Sequence, residues 1–208
     1  MTEIVSRRER KKEETRHRIF HAAIDLFREK GFEQTTVDEI TGKADVAKGT
    51  FFNYFPRKDA VLGYLSENRL LAVEENAGAM MAEVRPVREK LLDLYCGAAS
   101  AYEEDRELSR FVLIELMTRL FSPSEEVAVR WHEQIVRMIR QGQENGEIRA
   151  RLEPMRVESV LTGLYYATLY EWVCRVPPLT GTCCVAESFH LIEELRARLT
   201  LAMEGVAS

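Results

Sequence analysis

Four side chains that can donate hydrogen bonds lie close together in the chain: Lys48, Thr50, Asn53 and Tyr54, of which Lys48 also carries charge. On a helix these positions fall mainly on one face. Ile40, Ala44, Val46 and Phe51 are apolar at the places where a second short helix has to pack against the first. Two short helices joined by a turn of three or four residues form a helix-turn-helix, whose second helix can lie in a major groove. The chemistry on offer is therefore hydrogen bonding to base edges and phosphates. Thr36 and Lys58 stand at the starts of the flanking helices, where free backbone N–H groups favour phosphate. Gly49 leaves a gap in the exposed face that admits close backbone approach. The competing interpretation is a helix-turn-helix used only for packing, with its polar face solvated.

Other chemistry finds little support. His17 and His21 have the i, i+4 spacing of paired zinc ligands, but no cysteine or acid cluster accompanies them, and His132 and His190 are remote. There is no Gly-rich phosphate loop, no G-x-S-x-G and no H-E-x-x-H. Cys183 and Cys184, with Cys174, could hold a soft metal or sense oxidants, yet Arg175 is the only nearby cation to favour a thiolate. No catalytic residue, metal or cofactor is expected, and the chain is not expected to be an enzyme.

The elements that must position these residues are helical. Apolar residues recur every three and four positions, Gly and Pro are sparse at 11 and 6, and alternating β-branched runs are absent. A basic segment, Ser6 to Lys12, reads as a mobile arm. Helix 1 should cover about Glu13 to Lys30, with Ile19, Ala23 and Leu26 on its buried stripe and Gly31 as its stop. Thr36 with Glu39 three residues on is a capping box that starts a second helix. Ala44-Asp45-Val46 is the turn, helix 3 covers about Ala47 to Phe55, and Pro56 ends it. Helix 4 is expected from Lys58 to about Met81. Later helices are expected at about Val87–Glu104, Glu107–Phe121, Ser124–Asn145, Met155–Val176 and Val185–Met203.

The run Gly31-Phe32, Thr35-Thr36-Val37-Asp38-Glu39-Ile40, then Ala44-Asp45-Val46-Ala47-Lys48-Gly49-Thr50-Phe51-Phe52-Asn53-Tyr54-Phe55-Pro56-Arg57-Lys58-Asp59-Ala60-Val61-Leu62 resembles the N-terminal domain of TetR-family transcriptional regulators. The resemblance covers roughly residues 13–62; beyond it the likeness is one of architecture. It implies that Thr36 and Lys58 hold phosphates, that Lys48, Thr50 and Asn53 face base edges or adjoining backbone, and that Tyr54 bonds a phosphate through its hydroxyl. Three positions depart from the family pattern. Asp45 stands where glycine is usual in the turn, Thr41 where a small alanine is common, and Phe52 where tyrosine is frequent, which points Phe52 towards a thymine methyl or a sugar.

The resemblance also implies an all-α fold of two parts: an arm and three-helix DNA-binding domain at residues 1–57, and a six-helix ligand-binding and dimerisation domain at 58–208. Helix 8 is apolar nearly all round and so needs cover on all sides. In the family, the last two long helices pair with their symmetry mates. That assigns Leu161, Leu164, Phe189, Ile192, Leu195 and Leu199 to a homodimer interface. Candidate walls for an effector pocket are Tyr64, Tyr95, Tyr102, Phe111, Met117, Trp131, Tyr165, Tyr166, Leu169 and Trp172, with Glu115 and Glu171 as available acids. The abundance of rings favours an apolar or planar aromatic effector. The implied function is a ligand-responsive regulator, a repressor binding a pseudo-palindromic operator in double-stranded DNA as a homodimer, and released by a small molecule. Helix 4 would be the lever. An architectural or effector-independent DNA-binding protein is the alternative, and an all-α small-molecule enzyme the weaker one.

Composition sets the outer limits. The chain has 208 residues, 46% hydrophobic and 30% charged, as in ordinary soluble globular proteins. Its net charge is −5, divided as +2 over the first sixty residues and −7 over the rest, which fits two parts with different surfaces. The longest uncharged stretch, Ser159 to Tyr170, is too short to span a bilayer. No apolar signal region opens the chain, so its four cysteines are expected to be reduced thiols in a bacterial cytosol, with the protein at the nucleoid and no membrane partner.

Overall fold

A computed structural model of the chain describes residues 6–120, 126–174 and 190–207. Among these residues the secondary structure is all helical apart from one isolated bridge between Ile148 and Ala207. The helices are α1 (Arg7–Lys30), α2 (Val37–Ala44), α3 (Lys48–Tyr54), α4 (Ala60–Ala82), α5 (Val87–Glu103), α6 (Arg106–Leu120), α7 (Glu126–Glu144), α8 (Pro154–Cys174) and α9 (Leu191–Val206). No helix among the described residues is long and apolar enough to cross a membrane. The proposed chemistry at Cys183 and Cys184, and the interface position Phe189, lie outside the described residues.

The chain divides into two compact units, residues 1–65 and 66–208, with the boundary inside α4. In the first unit, Ile19, Ala23 and Phe27 of α1 meet Ile40 and Ala44 of α2, Phe51 of α3, and Phe55, Val61 and Leu62 beyond it, all of them buried. Gly31 ends α1 at φ 89° and ψ 152°, a conformation that only glycine takes without strain. That turn lets the Phe32 ring fold back to 5.0 Å from Phe27. Thr36 caps α2, and α2 stops where Asp45 adopts the left-handed conformation, φ 51° and ψ 55°. Thr41 is buried at the helix contact, and its hydroxyl is satisfied locally by donating to the Asp38 carbonyl at 3.0 Å.

One expectation fails at the start of the chain. The basic segment is not a tail, because α1 begins at Arg7. The Ser6 hydroxyl accepts from the Glu9 N–H at 3.2 Å, and the Glu9 carboxylate accepts from the Ser6 N–H at 2.9 Å. This capping box supplies a helix start six residues earlier than the apolar stripe suggests. Helix α4, conversely, begins two residues later than expected, at Ala60.

In the second unit α5 packs on α7 and α9, and α8 packs on α7, α9 and α6. Its core holds Leu91, Leu94, Tyr95, Ile135, Met138, Ile139, Leu161, Tyr165, Leu169, Leu195 and Leu199. The turn after α7 ties several helix ends together. The Glu147 carboxylate accepts the Val87 N–H at 2.6 Å and so caps α5, whose N-cap residue is a proline. One residue on, Ile148 bridges to Ala207, and the Arg149 N–H donates to the Val206 carbonyl at 3.1 Å, holding the end of α9.

Asp45 is the one residue other than glycine with positive φ among those described. Aspartate tolerates this region better than most residues, but glycine occupies it freely. Asp45→Gly should therefore raise stability by about 0.5–1 kcal/mol, seen as a higher urea midpoint with an unchanged slope.

Candidate nucleic-acid interface and aromatic core

The exposed face of the first unit is built by α2, α3 and the approach to α4. Lys48 opens α3, with Gly49 and Asn53 exposed beside it and Thr50 and Tyr54 half-buried. Phe52 is 47% exposed, a large apolar ring in water, and stacks edge-on against the buried Phe51 at 5.4 Å. Nothing in the chain lies within 4 Å of where a Cβ on Gly49 would stand, so the gap there opens outward. Of α3, only Phe51 is buried.

Its charges are paired within the unit. The Lys48 ammonium sits 2.8 Å from Asp38 Oδ1. Lys43 reaches Glu29 at 2.8 Å and Asp25 at 3.4 Å, joining α2 to α1. Glu39 takes Lys30 together with the Thr36 N–H at 2.9 Å and the Thr36 hydroxyl at 2.7 Å. The hydrogen bond from Lys30, then those from Thr36, hold the Glu39 carboxyl down to a pKa of about 2.

Two expected phosphate ligands are occupied in this structure. The Thr36 hydroxyl proton is committed to Glu39, because the capping box closes on it. The Lys58 ammonium points inward: it donates to the carbonyls of Phe32 at 2.7 Å, Thr35 at 2.8 Å and Glu33 at 3.4 Å, and lies 4.4 Å from the centre of the Phe32 ring. Burial pushes its pKa down. Lys58 is thus a clamp on the α1–α2 turn, and its side chain is not displayed to an outside anion.

Tyr64 also changes place. Expected in a ligand pocket, it belongs to the first unit, where its ring packs 5.2 Å from Phe20 and 5.8 Å from Phe55, under the Arg16 guanidinium at 3.9 Å. Its hydroxyl donates to Glu13 at 3.1 Å. The first turn of α4 thus packs against α1 within the first unit.

In the second unit, α5, α7 and α8 bring Tyr95, Trp131 and Tyr165 together. Ring centres are 5.7 Å apart for Tyr95 and Trp131, 5.6 Å for Tyr95 and Tyr165, and 6.4 Å for Trp131 and Tyr165. Tyr166 adds an edge contact 5.2 Å from Tyr165. Tyr102 is buried beneath the Arg69 guanidinium at 5.1 Å, and Leu169 is fully buried. Phe111 and Met117 are half-buried on α6. Trp172 pairs instead with Arg106, which lies 5.2 Å over its ring and donates to its carbonyl.

A polar chain that sequence reasoning missed runs along this cluster. The Tyr95 hydroxyl and Thr162 Oγ1 are 2.8 Å apart, Thr162 donates to Glu158 at 2.7 Å, and His132 Nδ1 lies 2.5 Å from the same carboxylate oxygen. Burial opposes the charge of Glu158, but the hydrogen bonds from His132 and Thr162 outweigh it and hold its pKa below the ordinary value. The hydrogen bond to Glu158 raises that of His132. Burial sends the Tyr95 and Tyr166 phenols well above their usual range. The visible signal was an acid and a threonine four residues apart on an otherwise apolar helix face. The two acids singled out from the sequence differ: Glu171 is held by Arg198 at 2.8 Å, and Glu115 is half-buried on α6.

Three of the residues assigned to a partner surface, Leu161, Leu195 and Leu199, turn inward instead. Leu161, Leu195 and Leu199 are at most 1% exposed within their own unit, with Leu164 and Ile192 half-buried. The outward face of α8 carries Val160, Gly163, Ala167 and Tyr170 instead, with Leu201 exposed on α9.

Residues 19–65 match the model of the bacterial regulatory proteins of the tetR family. Over nearly its whole length the chain is similar to a Thermus thermophilus FadR, a TetR family transcriptional repressor whose crystal structure is in complex with lauroyl-CoA. The two are 30% identical, with 91% of this chain and 94% of that one covered and a TM-score of 0.66. The chain belongs to the TetR family of transcriptional regulators. That family pairs a DNA-binding helix-turn-helix with a helical ligand-binding part, and this TetR-family chain has the same plan. It is also 25% identical to the fatty acid metabolism regulator protein of Bacillus subtilis, over 74% of this chain and 81% of that protein. With the uncharacterized HTH-type transcriptional regulator YerO of Bacillus subtilis it shares 28% identity, over 55% of this chain. There the chain spans only 39% of the relative's length.

Two outcomes test this electrostatic arrangement. Lys58→Met, which keeps the stem and removes the donors, should cost about 1.5–3 kcal/mol in urea unfolding, as for hydrogen bonds from a charged group. The folded-state pKa of Glu39 is depressed, so its contribution is present above the ordinary carboxylate value of 4.5 and is lost as pH falls through about 2. Glu39→Gln should flatten the fall in melting temperature across that window.

Proposed function

We propose that this TetR-family chain is a transcriptional repressor that binds a pseudo-palindromic operator as a homodimer and is released by a long-chain acyl thioester. The observation carrying the effector class is the likeness, at 30% identity over 94% of its length, to the repressor described with lauroyl-CoA. Supporting it, the second unit gathers Tyr95, Trp131, Tyr165 and Tyr166 into an aromatic interior suited to an apolar chain.

At the operator, Lys48, Gly49, Thr50, Phe52, Asn53 and Tyr54 of α3 enter the major groove, and Thr36 reaches the backbone by exchanging Glu39 for a phosphate. Lys48 exchanges Asp38 for DNA, an exposed ion pair worth little in water. Lys58 acts by fixing the turn that carries Thr36, rather than as a phosphate ligand. The second copy packs on Val160, Gly163, Ala167 and Tyr170 of α8. Two copies place two reading helices at a symmetric spacing, which a palindrome matches. The division of labour between reading and sensing, expected from sequence at residues 1–57 and 58–208, then falls inside α4, between residues 1–65 and 66–208, so that α4 contributes to both units. The effector favours a state whose reading helices are wrongly spaced; clearing an operator from mostly bound to mostly free takes a preference of about 5.5 kcal/mol. A bacterial cytosol is the compartment this function requires.

Selection of bound duplexes from a random pool should return an inverted repeat, and fluorescence anisotropy should show lauroyl-CoA reversing that binding. Asn53→Ala should lose discrimination between sites by about 1–3 kcal/mol per half-site. Ala167→Arg should give a monomer by ultracentrifugation with little operator affinity. Binding to duplexes without sequence preference would leave an architectural protein instead.

A further inference from the structure

The indole of Trp131 is a donor with nothing to donate to. The residue is 4% exposed, and its Nε1–H is buried with no hydrogen-bond partner. An indole nitrogen can only donate. Buried tryptophan N–H groups usually find an acceptor, because leaving one unmade forfeits the hydrogen bond it had with water.

The rings packed on the indole do not supply that acceptor. Tyr95 stands edge to face with it, an interplanar angle of 85° at 5.7 Å, and its hydroxyl is committed to Thr162 at 2.8 Å. Thr162 in turn donates to Glu158, whose same oxygen faces His132. That polar chain ends at the half-exposed histidine. Tyr165 flanks the indole at a tilt of 41°. The rings in contact with the indole are therefore uncharged, and the cation of this cluster, Arg69, stands over Tyr102.

Neutral walls select the acceptor. A carboxylate placed against these rings would be stripped of water, which is costly. A carbonyl oxygen accepts a single N–H at much smaller desolvation cost. In an acyl thioester the carbonyl lies where the apolar tail meets the polar carrier, so a donor there also sets how deep the tail can run.

We infer that the Trp131 indole N–H is the hydrogen-bond donor to the thioester carbonyl of a bound acyl effector. This rests on the effector class proposed above, and it adds the atom that recognises the functional group. An alkyl chain of equal length without the carbonyl should bind less tightly, and only because of this residue.

The experiment compares lauroyl-CoA with its thioether analogue S-dodecyl-CoA, which has no carbonyl, on the full chain and on Trp131→Phe, by isothermal titration calorimetry. The full chain should prefer the thioester about fivefold to tenfold, the range of one neutral hydrogen bond. In Trp131→Phe the two ligands should bind alike. Because the comparison is a ratio within each protein, any general loss of packing in the variant cancels, and its melting curve reports whether it folds. Should the variant fail to fold, the indole N–H proton resonance of Trp131 in the full chain decides: it should move downfield with the thioester and not with the thioether. Equal binding of both ligands by the full chain, a preference that survives Trp131→Phe, or an unmoved resonance overturns the inference. Failure of the full chain to bind either ligand overturns the effector class itself, and the inference with it.

Discussion

One ammonium group holds the reading unit in register. Lys58 collects the carbonyls of Phe32, Glu33 and Thr35, which lie more than twenty residues earlier in the chain. Those carbonyls belong to the turn between α1 and α2, the segment where backbone groups lack helical partners. By satisfying them, Lys58 fixes where α2 begins relative to the approach to α4. Helix α3 is then pressed between the two by Phe51 and Phe55, both essentially unexposed. The orientation of Lys48 and Asn53 follows from this clamp and this wedge, because α3 is only seven residues long and makes few bonds of its own.

Around the clamp, cations are matched to acids across helices: Lys30 to Glu39, Lys43 to Asp25 and Glu29, Lys48 to Asp38. Exposed pairs of this kind add little stability singly. They do set which side chain points where, and they leave the basic character of the face conditional on exchange. A phosphate that draws Lys48 away from Asp38 gains a contact and leaves a carboxylate nearby. The strength of that trade depends on salt, as for any contact to the backbone of a duplex.

Much of the first unit was legible because its signals are local. Thr36 and Glu39 make a capping box within four residues, and Ile40, Ala44 and Phe51 show their packing side by spacing alone. What failed was either a second local signal or a distant one. The Ser6–Glu9 box is as plain as the other, but the charge of the residues after it suggested a tail. The inward turn of Lys58 depends on carbonyls that only folding brings close, and nothing in its neighbourhood marks it. Tyr64 was misplaced for the same reason: its partners Phe20 and Glu13 sit a helix away. On α8, where apolar residues go all round, periodicity cannot fix the phase. Burial of Leu161, Tyr165 and Leu169 settles it and turns Val160, Gly163, Ala167 and Tyr170 outward.

The early start of α1 changes what its leading cations can do. Arg7, Arg8, Arg10, Lys11 and Lys12 are mounted on a rigid rod that rises about 1.5 Å per residue. A loose tail has to surrender its freedom each time it settles on a polyanion, a loss of about 1–2 kcal/mol for every residue ordered. Charges already set at fixed intervals surrender none, so their attraction is governed by whether the spacing suits the surface they meet. Such a rod discriminates by geometry where a tail would simply adhere.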